Sequence, residues 1–128
     1  MVLVDSCGWI EFFTDSPRAA EYSKYLKNPS KVITPTIILY EVYKKIKKER
    51  TEDAALLAVS LVNKTRLIPL TESIALTAAD LSLRYLLPMA DAIVYATAFE
   101  EKCKIITSDI HFSEGSCGKD MEGVIFIM

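Results

Sequence analysis

The sequence predicts an α/β protein, a three-layer sandwich in which a mostly parallel central sheet of about five strands is flanked by helices. Short apolar runs alternate along the chain with longer stretches in which apolar residues recur at helical spacing. The 128 residues are 51% hydrophobic and 25% charged, a size and composition typical of one folded domain. We therefore expect a single domain over residues 1–128.

Five short apolar runs are the predicted strands. The run at 2–4 is ended by Asp5 and Ser6, and it has the composition of a buried first strand. The run at 105–107 repeats this design near the other end of the chain. The remaining predicted strands are 32–34, 66–68 and 124–127.

Helical spacing follows the first strand at once and recurs in five longer stretches, several of which open with Pro, Ser, Thr or Asp. These stretches cover roughly residues 17–27, 36–49, 52–64, 72–87 and 90–102. Strands that alternate with helices pair in parallel, because each helix carries the chain back across the sheet. Residues 113–123 form the one predicted loop.

The apolar stretches and the amino terminus predict the location of the protein. The longest apolar stretches, at 35–43 and 54–62, are far shorter than the roughly 20 residues that a membrane-spanning helix needs. The first residues, MVLVDS, lack a basic leader followed by a long apolar region, so we expect no secretory signal. We therefore expect a cytoplasmic protein without a membrane partner.

Cys7, Cys103 and Cys117 are an odd number of cysteines without CxxC spacing. This pattern indicates reduced thiols and argues against a disulfide framework or a thiolate metal site. Cys7 stands near Asp5, where a nucleophile is conceivable, but the chain's one histidine, His111, lies far along the sequence in a polar turn. We therefore disfavour cysteine catalysis.

Acidic residues are placed to meet at one edge of the predicted sheet. Asp5 directly follows the first strand, and Asp109 closely follows the fourth. Glu41 lies on the helix after the second strand, and Asp91 follows Pro88 at the start of the helix that leads into the fourth. Because ligands bind beyond the carboxyl ends of parallel strands, we expect these four side chains to converge.

Each acid also has an ordinary structural explanation. The aspartates stand where Asp caps helices or makes turns, and Glu41 has Lys45 at i+4 as an ion-pair partner. The sequence context favours a site instead. Glu41 interrupts the apolar segment PTIILYEVY and Asp91 stands inside LLPMADAIVYATA, where an unpaired acid would incur a desolvation penalty.

A cluster of carboxylates needs a cation. At an effective dielectric near 20, two carboxylates about 4 Å apart repel by about 4 kcal/mol, so the cluster would protonate or spread unless a divalent ion balanced it. Oxygen ligands without His or Cys favour Mg²⁺ or Mn²⁺ over Zn²⁺. The chemistry of these ions at carboxylate clusters is phosphodiester hydrolysis.

Four segments resemble the signature segments of PIN domains, in order and near their usual spacing. They are LVDSCGWIEFF at 3–13, TPTIILYEVYKK at 34–45, LPMADAIVYATA at 87–98 and IITSDIHF at 105–112. The resemblance spans essentially the whole chain and is closest to the VapC-type toxins of bacterial and archaeal toxin-antitoxin pairs. It implies a PIN-like nuclease domain, a metal-dependent endoribonuclease that pairs with a cognate antitoxin and forms a homodimer.

The resemblance also implies roles for the acids. Asp5 and Asp91 match the principal metal ligands, and Glu41 and Asp109 complete the acidic pocket through direct or water-mediated contacts. One departure concerns His111, because many relatives carry another acid near this position. The number of metal ions is therefore open, and we expect His111 to be a surface turn residue rather than a ligand.

Two hydroxyl residues match further family positions. Ser6 and Thr107 are expected to orient a carboxylate or a bound water. The alternatives are a helix cap for Ser6 and an ordinary strand-end residue for Thr107.

The net charge of the chain is not typical of a nucleic-acid-binding protein. The net charge is −2, whereas phosphate affinity normally comes from clustered Lys and Arg. A basic run, KKIKKER at 44–50, is the clearest local exception, and within it Lys44, Lys45 and Lys48 are the candidates for contacts with RNA. The alternative is a solvated helix face.

The sequence lacks features that other candidate functions require. A DNA-directed structure-specific nuclease usually carries helical insertions for which 128 residues leave no room. A phosphoacceptor receiver domain needs paired acids after strand one and an Asp ending strand three, where this chain has Asp5 with Ser6 and the segment 69–71, PLT. A PIN nuclease of RNA processing without an antitoxin stays open, and the complete acidic set disfavours a catalytically silent binding module.

Large apolar side chains crowd the first helix. Trp9, Ile10, Phe12 and Phe13 cannot all face one sheet. Some of them are candidates for a groove that holds an antitoxin helix or for a homodimer interface. The alternative is that all four belong to the core.

Overall fold

Five parallel strands form one sheet in the computed structural model of the protein, which describes residues 1–112 and 122–127. The spatial order is β3-β2-β1-β4-β5, and each neighbouring pair is parallel. The strands are β1 (Val2–Val4), β2 (Val32–Pro35), β3 (Arg66–Ile68), β4 (Lys104–Thr107) and β5 (Val124–Phe126). The predicted α/β sandwich with a parallel sheet is confirmed.

Helices connect the strands at the predicted places. They are α1 (Ser6–Phe13), α2 (Ala19–Leu26), α3 (Thr36–Glu49), α4 (Glu52–Val62), α5 (Glu72–Tyr85) and α6 (Met89–Glu101). Helices α5 and α6 are followed by Leu86 and Lys102 in left-handed backbone conformation, which ends each helix. Most of the predicted loop 113–123, with Cys117, lies outside the described residues.

The ends of the helices follow the chemistry of their flanking residues. Thr51 and Thr71 cap α4 and α5, each accepting a hydrogen bond from a backbone N–H of the first turn. Pro35 and Pro88 immediately precede α3 and α6. No helix of residues 1–112 and 122–127 is long and apolar enough to cross a bilayer.

The middle of the sheet is buried on both faces. Residues of both orientations along β2 are buried, and so are Ile105, Ile106 and Thr107 of β4. Since successive side chains of a strand point to opposite faces, helices must cover the sheet on both sides.

The register of the central strands determines where the site forms. Val4 of β1 lies opposite Ile106 of β4, and the backbone N–H of Asp5 donates to the carbonyl of Ile106 at 3.0 Å. Asp5 and Thr107 therefore lie side by side at the carboxyl edge of the sheet.

Candidate active site

Asp5 lies at the junction of β1 and α1, where it is both a helix cap and a buried carboxylate. Its Oδ1 accepts a hydrogen bond from the backbone N–H of Ser6 at 2.8 Å, and its Oδ2 accepts one from the hydroxyl of Thr107 at 2.9 Å. The side chain is 3% exposed. Burial raises the pKa of this carboxyl above its usual value, and the charge of Asp109 raises it further, against the lowering effect of the hydrogen bonds.

Thr107 joins two of the predicted acids. Its hydroxyl is fully buried, donates to Asp5 and accepts the backbone N–H of Asp109 at 2.9 Å. The hydroxyl therefore fixes the Asp5 carboxylate relative to the chain that leaves β4. This position is the predicted one for an orienting hydroxyl.

The carboxyl of Glu41 has a raised pKa. Burial and, after it, the charges of Asp5, Asp91 and Asp109 raise the pKa of its carboxyl to about 7, against the lowering effect of a hydrogen bond with Ser6. Each of the other three predicted acids therefore lies close enough to repel Glu41.

The predicted alternative role of Glu41 as the ion-pair partner of Lys45 is wrong. Lys45 forms an ion pair with Glu49, with Nζ 3.2 Å from Oε1.

Asp91 lies in the first turn of α6, as predicted, and it is half-buried. The charges of Asp5, Asp91 and Asp109 all act on Glu41, although the four acids come from different parts of the chain.

The donor set fits a hard divalent cation. The acids supply carboxylate oxygens, the ligands that Mg²⁺ and Mn²⁺ prefer, and the raised pKa values of Asp5 and Glu41 reflect repulsion and burial that a cation would offset. In the part of the chain that the structure describes, no three His, Cys, Asp or Glu side chains form a group that could hold a metal ion. The carboxyl groups share an electrostatic environment without being gathered around one point.

A polar cluster lies behind Asp5 and was not predicted from the sequence. The Sγ atom of Cys7 lies 3.8 Å from Oδ2 of Asp5, 3.5 Å from the hydroxyl of Thr107 and 3.6 Å from that of Tyr22. Tyr22 donates to the hydroxyl of Ser108 at 2.8 Å, and Ser108 donates to Sγ of Cys7 at 3.6 Å. Cys7 is thus a packing and hydrogen-bonding partner of the site.

The sequence offered a partial signal for this cluster. Cys7 and Ser108 stand within two residues of the predicted acids Asp5 and Asp109. Tyr22 comes from α2, and it is fully buried, which raises the pKa of its phenol and keeps it a hydrogen-bond donor. No local sequence pattern predicts that α2 contacts the site.

The three candidate lysines line one groove with the site. The groove has a volume of about 320 Å³ and is lined by Ser6, Ile10, Tyr40, Glu41, Lys44, Lys45, Lys48 and Glu49. Lys47 points elsewhere, because its Nζ contacts the hydroxyl of Tyr43 at 3.2 Å and Oε1 of Glu52 at 3.3 Å. Arg50 lines a separate groove.

The apolar residues of α1 are divided between the core and two grooves. Trp9 is buried, and Ile10, Phe12 and Phe13 are partly buried against the core. Ile10 also lines the groove of Glu41, and Phe13 lines the groove of Arg50.

Residue 111 falls in the short 3-10 turn Ile110–Phe112, in agreement with the prediction of a turn. The side chain of His111 lies outside the described part of the structure.

The parallel sheet, with Asp5 and Thr107 at its carboxyl edge, puts the protein among the α/β proteins, which bind ligands beyond the carboxyl ends of their strands. The family model described as PIN domain matches residues 2–116, and the chain belongs to the PIN domain family. The resemblance to PIN domains found in the sequence is confirmed. No curated protein sequence matches the chain.

Several solved structures share this fold. A toxin-antitoxin complex from Klebsiella pneumoniae is 25% identical with a TM-score of 0.78, over 98% of this chain and 96% of that one. DNA-bound VapBC from Salmonella typhimurium is 14% identical with a TM-score of 0.73, over 95% and 98% of the two chains. VapC20 from Mycobacterium tuberculosis, a toxin that cleaves the sarcin-ricin loop, is 17% identical with a TM-score of 0.68, over 80% and 84%. At the two lower identities the likeness is one of fold alone.

Proposed function

We propose that this protein is a metal-dependent endoribonuclease that hydrolyses phosphodiester bonds of RNA and acts as the toxin of a toxin-antitoxin pair. The observation that carries the proposal is the carboxylate of Asp5, which is buried at the carboxyl edge of the sheet, is held by the hydroxyl of Thr107, and lies close enough to Glu41 and Asp109 for their charges to interact. Membership of the PIN domain family supports it, and so does the fold shared with toxin-antitoxin complexes.

The acids have distinct parts in the proposed reaction. Asp5 and Asp91 would hold Mg²⁺ or Mn²⁺, and Glu41 and Asp109 would complete its surroundings. When bound, the ion supplies a water of lowered pKa and neutralises charge on the scissile phosphate. The hydroxyl of Thr107 keeps the Asp5 carboxylate in place.

Cleavage of single-stranded RNA tests this proposal. The purified protein should cleave with Mg²⁺ or Mn²⁺ and stop with EDTA, and Asp91→Asn should lower the rate by about 100-fold or more. Asp53→Asn is a matched control, because Asp53 occupies the first turn of α4 and is exposed. Cleavage that survives EDTA would overturn the metal mechanism, and cleavage of DNA alone would favour a DNA-directed PIN nuclease.

The basic face of α3 holds the RNA backbone in this proposal. Lys44, Lys45 and Lys48 line the groove that contains Glu41, whereas Lys47 lies outside it. Replacing one of the groove lysines by Ala should weaken binding alike for all sequences and reduce the salt slope by about 0.7 for each phosphate that the protein no longer neutralises. Lys47→Ala is the control. Equal salt slopes for Lys44→Ala and Lys47→Ala would mean that the basic run is only a solvated helix face.

A cognate antitoxin is the proposed protein partner. The groove between α1 and α4 is lined mainly by apolar side chains, including Phe13, Ile46 and Leu57, and Leu57 is 63% exposed. An antitoxin helix would cover this apolar surface. Leu57→Glu should abolish inhibition by the antitoxin and leave RNA cleavage intact, and undiminished inhibition would place the antitoxin elsewhere.

A homodimer is also part of the proposal. Helices α5 and α6 enclose a second apolar groove, of about 340 Å³, with the exposed residues Leu70 and Met89 at its rim. Burying such a patch against a second copy removes apolar surface from water. Met89→Glu should give a monomer in analytical ultracentrifugation, whereas Leu57→Glu should not change the oligomeric state.

A further inference from the structure

Helix α3 carries two tyrosine–lysine pairs with the same spacing and almost the same geometry. Nζ of Lys44 lies 3.2 Å from the hydroxyl of Tyr40 and 5.4 Å from the centre of its ring. Nζ of Lys47 lies 3.2 Å from the hydroxyl of Tyr43 and 5.3 Å from the centre of that ring. Any difference between the pairs therefore comes from their surroundings.

The surroundings of the two rings differ sharply. Tyr43 is partly buried against the core, and its lysine also contacts Glu52. Tyr40 is 56% exposed, and it lines the groove that contains Ser6 and Glu41. The ring of Tyr40 is therefore available to a ligand in the groove, whereas the ring of Tyr43 is used in packing.

The groove beside Tyr40 has the size and charge for part of a nucleic-acid strand. Its volume of about 320 Å³ falls within the range of small-ligand sites, about 300–1,000 Å³, and it is large enough for a nucleobase with its sugar. Among residues 1–112 and 122–127, Lys45 is the one lysine of the groove in an ion pair, with Glu49. The ammonium groups of Lys44 and Lys48 therefore face the groove without a carboxylate partner in that part of the chain.

We propose that Tyr40 is a platform on which an unpaired base of the RNA substrate stacks, while Lys44 and Lys48 contact the adjoining phosphates. The inference rests on the proposed ribonuclease function and names its substrate class, which is RNA with an unstacked base next to the scissile bond. Bases stack on protein aromatic rings when they are splayed out of a helix, and every base offers a π face for such a contact. Tyr40 is then a binding residue beside Glu41, and a paired duplex cannot use it.

The test measures binding without cleavage. The probe is a short uridine-rich single-stranded oligoribonucleotide with one 2-aminopurine, mixed with protein in EDTA at low salt. Stacking on a tyrosine ring should quench the fluorescence of the 2-aminopurine, and Tyr40→Ala should remove the quenching and weaken binding by about tenfold. Tyr40→Phe keeps the ring and should behave like the wild type, and so should Lys47→Ala, which alters only the matched pair.

Further measurements distinguish a failure of the stacking proposal from a failure of the proposed nuclease function. A duplex of the same sequence should bind the wild type and Tyr40→Ala equally. If Tyr40→Ala keeps both affinity and quenching, the proposal is wrong, and if it changes only the oligomeric state in ultracentrifugation, Tyr40 belongs to a protein interface and the proposal also fails. Quenching that depends on Tyr40 in a protein that cleaves no RNA with Mg²⁺ or Mn²⁺ would support base stacking on Tyr40 and overturn the proposed nuclease.

Discussion

Asp5 makes hydrogen bonds through both of its carboxylate oxygens. Its Oδ1 caps α1 through the N–H of Ser6, and its Oδ2 accepts the hydroxyl of Thr107. These hydrogen bonds favour the charged carboxylate, yet burial dominates and raises its pKa. A cation bound beside this buried helix cap would therefore be stabilised more strongly than a cation bound beside an exposed cap.

The titration of Glu41 gives a prediction at the scale of one residue. The pKa of its carboxyl is raised from 4.5 to about 7 in the folded protein. Between these values the folded state holds a proton that the unfolded state has released, so the free energy of unfolding should fall as pH rises through this window. With about 1.4 kcal/mol per pKa unit and allowance for solvent screening, the loss is on the order of 2 kcal/mol.

The variant Glu41→Gln isolates this effect. It cannot titrate, so the difference between wild type and variant should change between pH 4.5 and 7 and be flat below 4.5. The other carboxyls are common to both proteins, and their titration cancels to first order. Urea unfolding in EDTA at each pH measures the difference, and parallel curves would mean that Glu41 is not held among the other acids.

At the scale of elements, the strands and helices were predictable because their patterns are local. A run such as 2–4 is apolar and β-branched, and the long stretches have helical spacing with caps or prolines at their starts. Strand order follows less directly, but parallel crossovers bring the carboxyl ends to one edge whatever the order. This is why acids far apart in sequence could be assigned to one pocket.

Contacts between helices were less predictable. Glu41, Lys44, Lys45 and Lys48 share one face of α3, since i+3, i+4 and i+7 positions are neighbours on a helix, so their common groove follows from spacing. The cluster of Cys7, Tyr22 and Ser108 depends on how α2 packs onto α1, and no local pattern encodes that packing.

Gly8 is where the packing of α1 on α2 can be tested. A Cβ atom at this position would collide with the ring of Tyr22 and with Cγ1 of Val4, both fully buried. Ala in place of Gly inside a helix gains about 1 kcal/mol, whereas overpacking a core costs about 1–3 kcal/mol. We expect Gly8→Ala to destabilise the protein by about 1 kcal/mol in urea unfolding, because the cost of the collision exceeds the gain in helix propensity.

A double-mutant cycle identifies the cause of that destabilisation. In a Tyr22→Leu background the ring is absent, so the cost of Gly8→Ala should shrink. A cost that is equal in both backgrounds would assign the collision to Val4 alone. A gain of stability from Gly8→Ala in the wild-type background would mean that α1 and α2 pack less closely than the structure has them.

At the scale of the whole molecule, the distribution of charge matters more than its sum. The net charge of −2 conceals an uneven distribution, because the charges of Asp5, Asp91 and Asp109 act on Glu41, which lies in a groove with three lysines. The acids repel one another and the lysines attract phosphate, so RNA and a divalent cation would each relieve a different part of this imbalance. The stability of the fold should therefore depend on the metal.

Asp91→Asn tests this dependence, because two effects oppose each other when its charge is removed. Asp91 lies in the first turn of α6, where a negative charge gains about 0.3–1 kcal/mol from the helix dipole, but its charge also repels Glu41. In EDTA we expect the two effects nearly to cancel, so that the variant melts within a few degrees of the wild type. Mg²⁺ at about 100 times its dissociation constant should then stabilise the wild type by about 2.7 kcal/mol and leave Asp91→Asn almost unchanged. If Asp91 were only a helix-start residue, Mg²⁺ would shift the melting temperatures of both proteins equally or not at all.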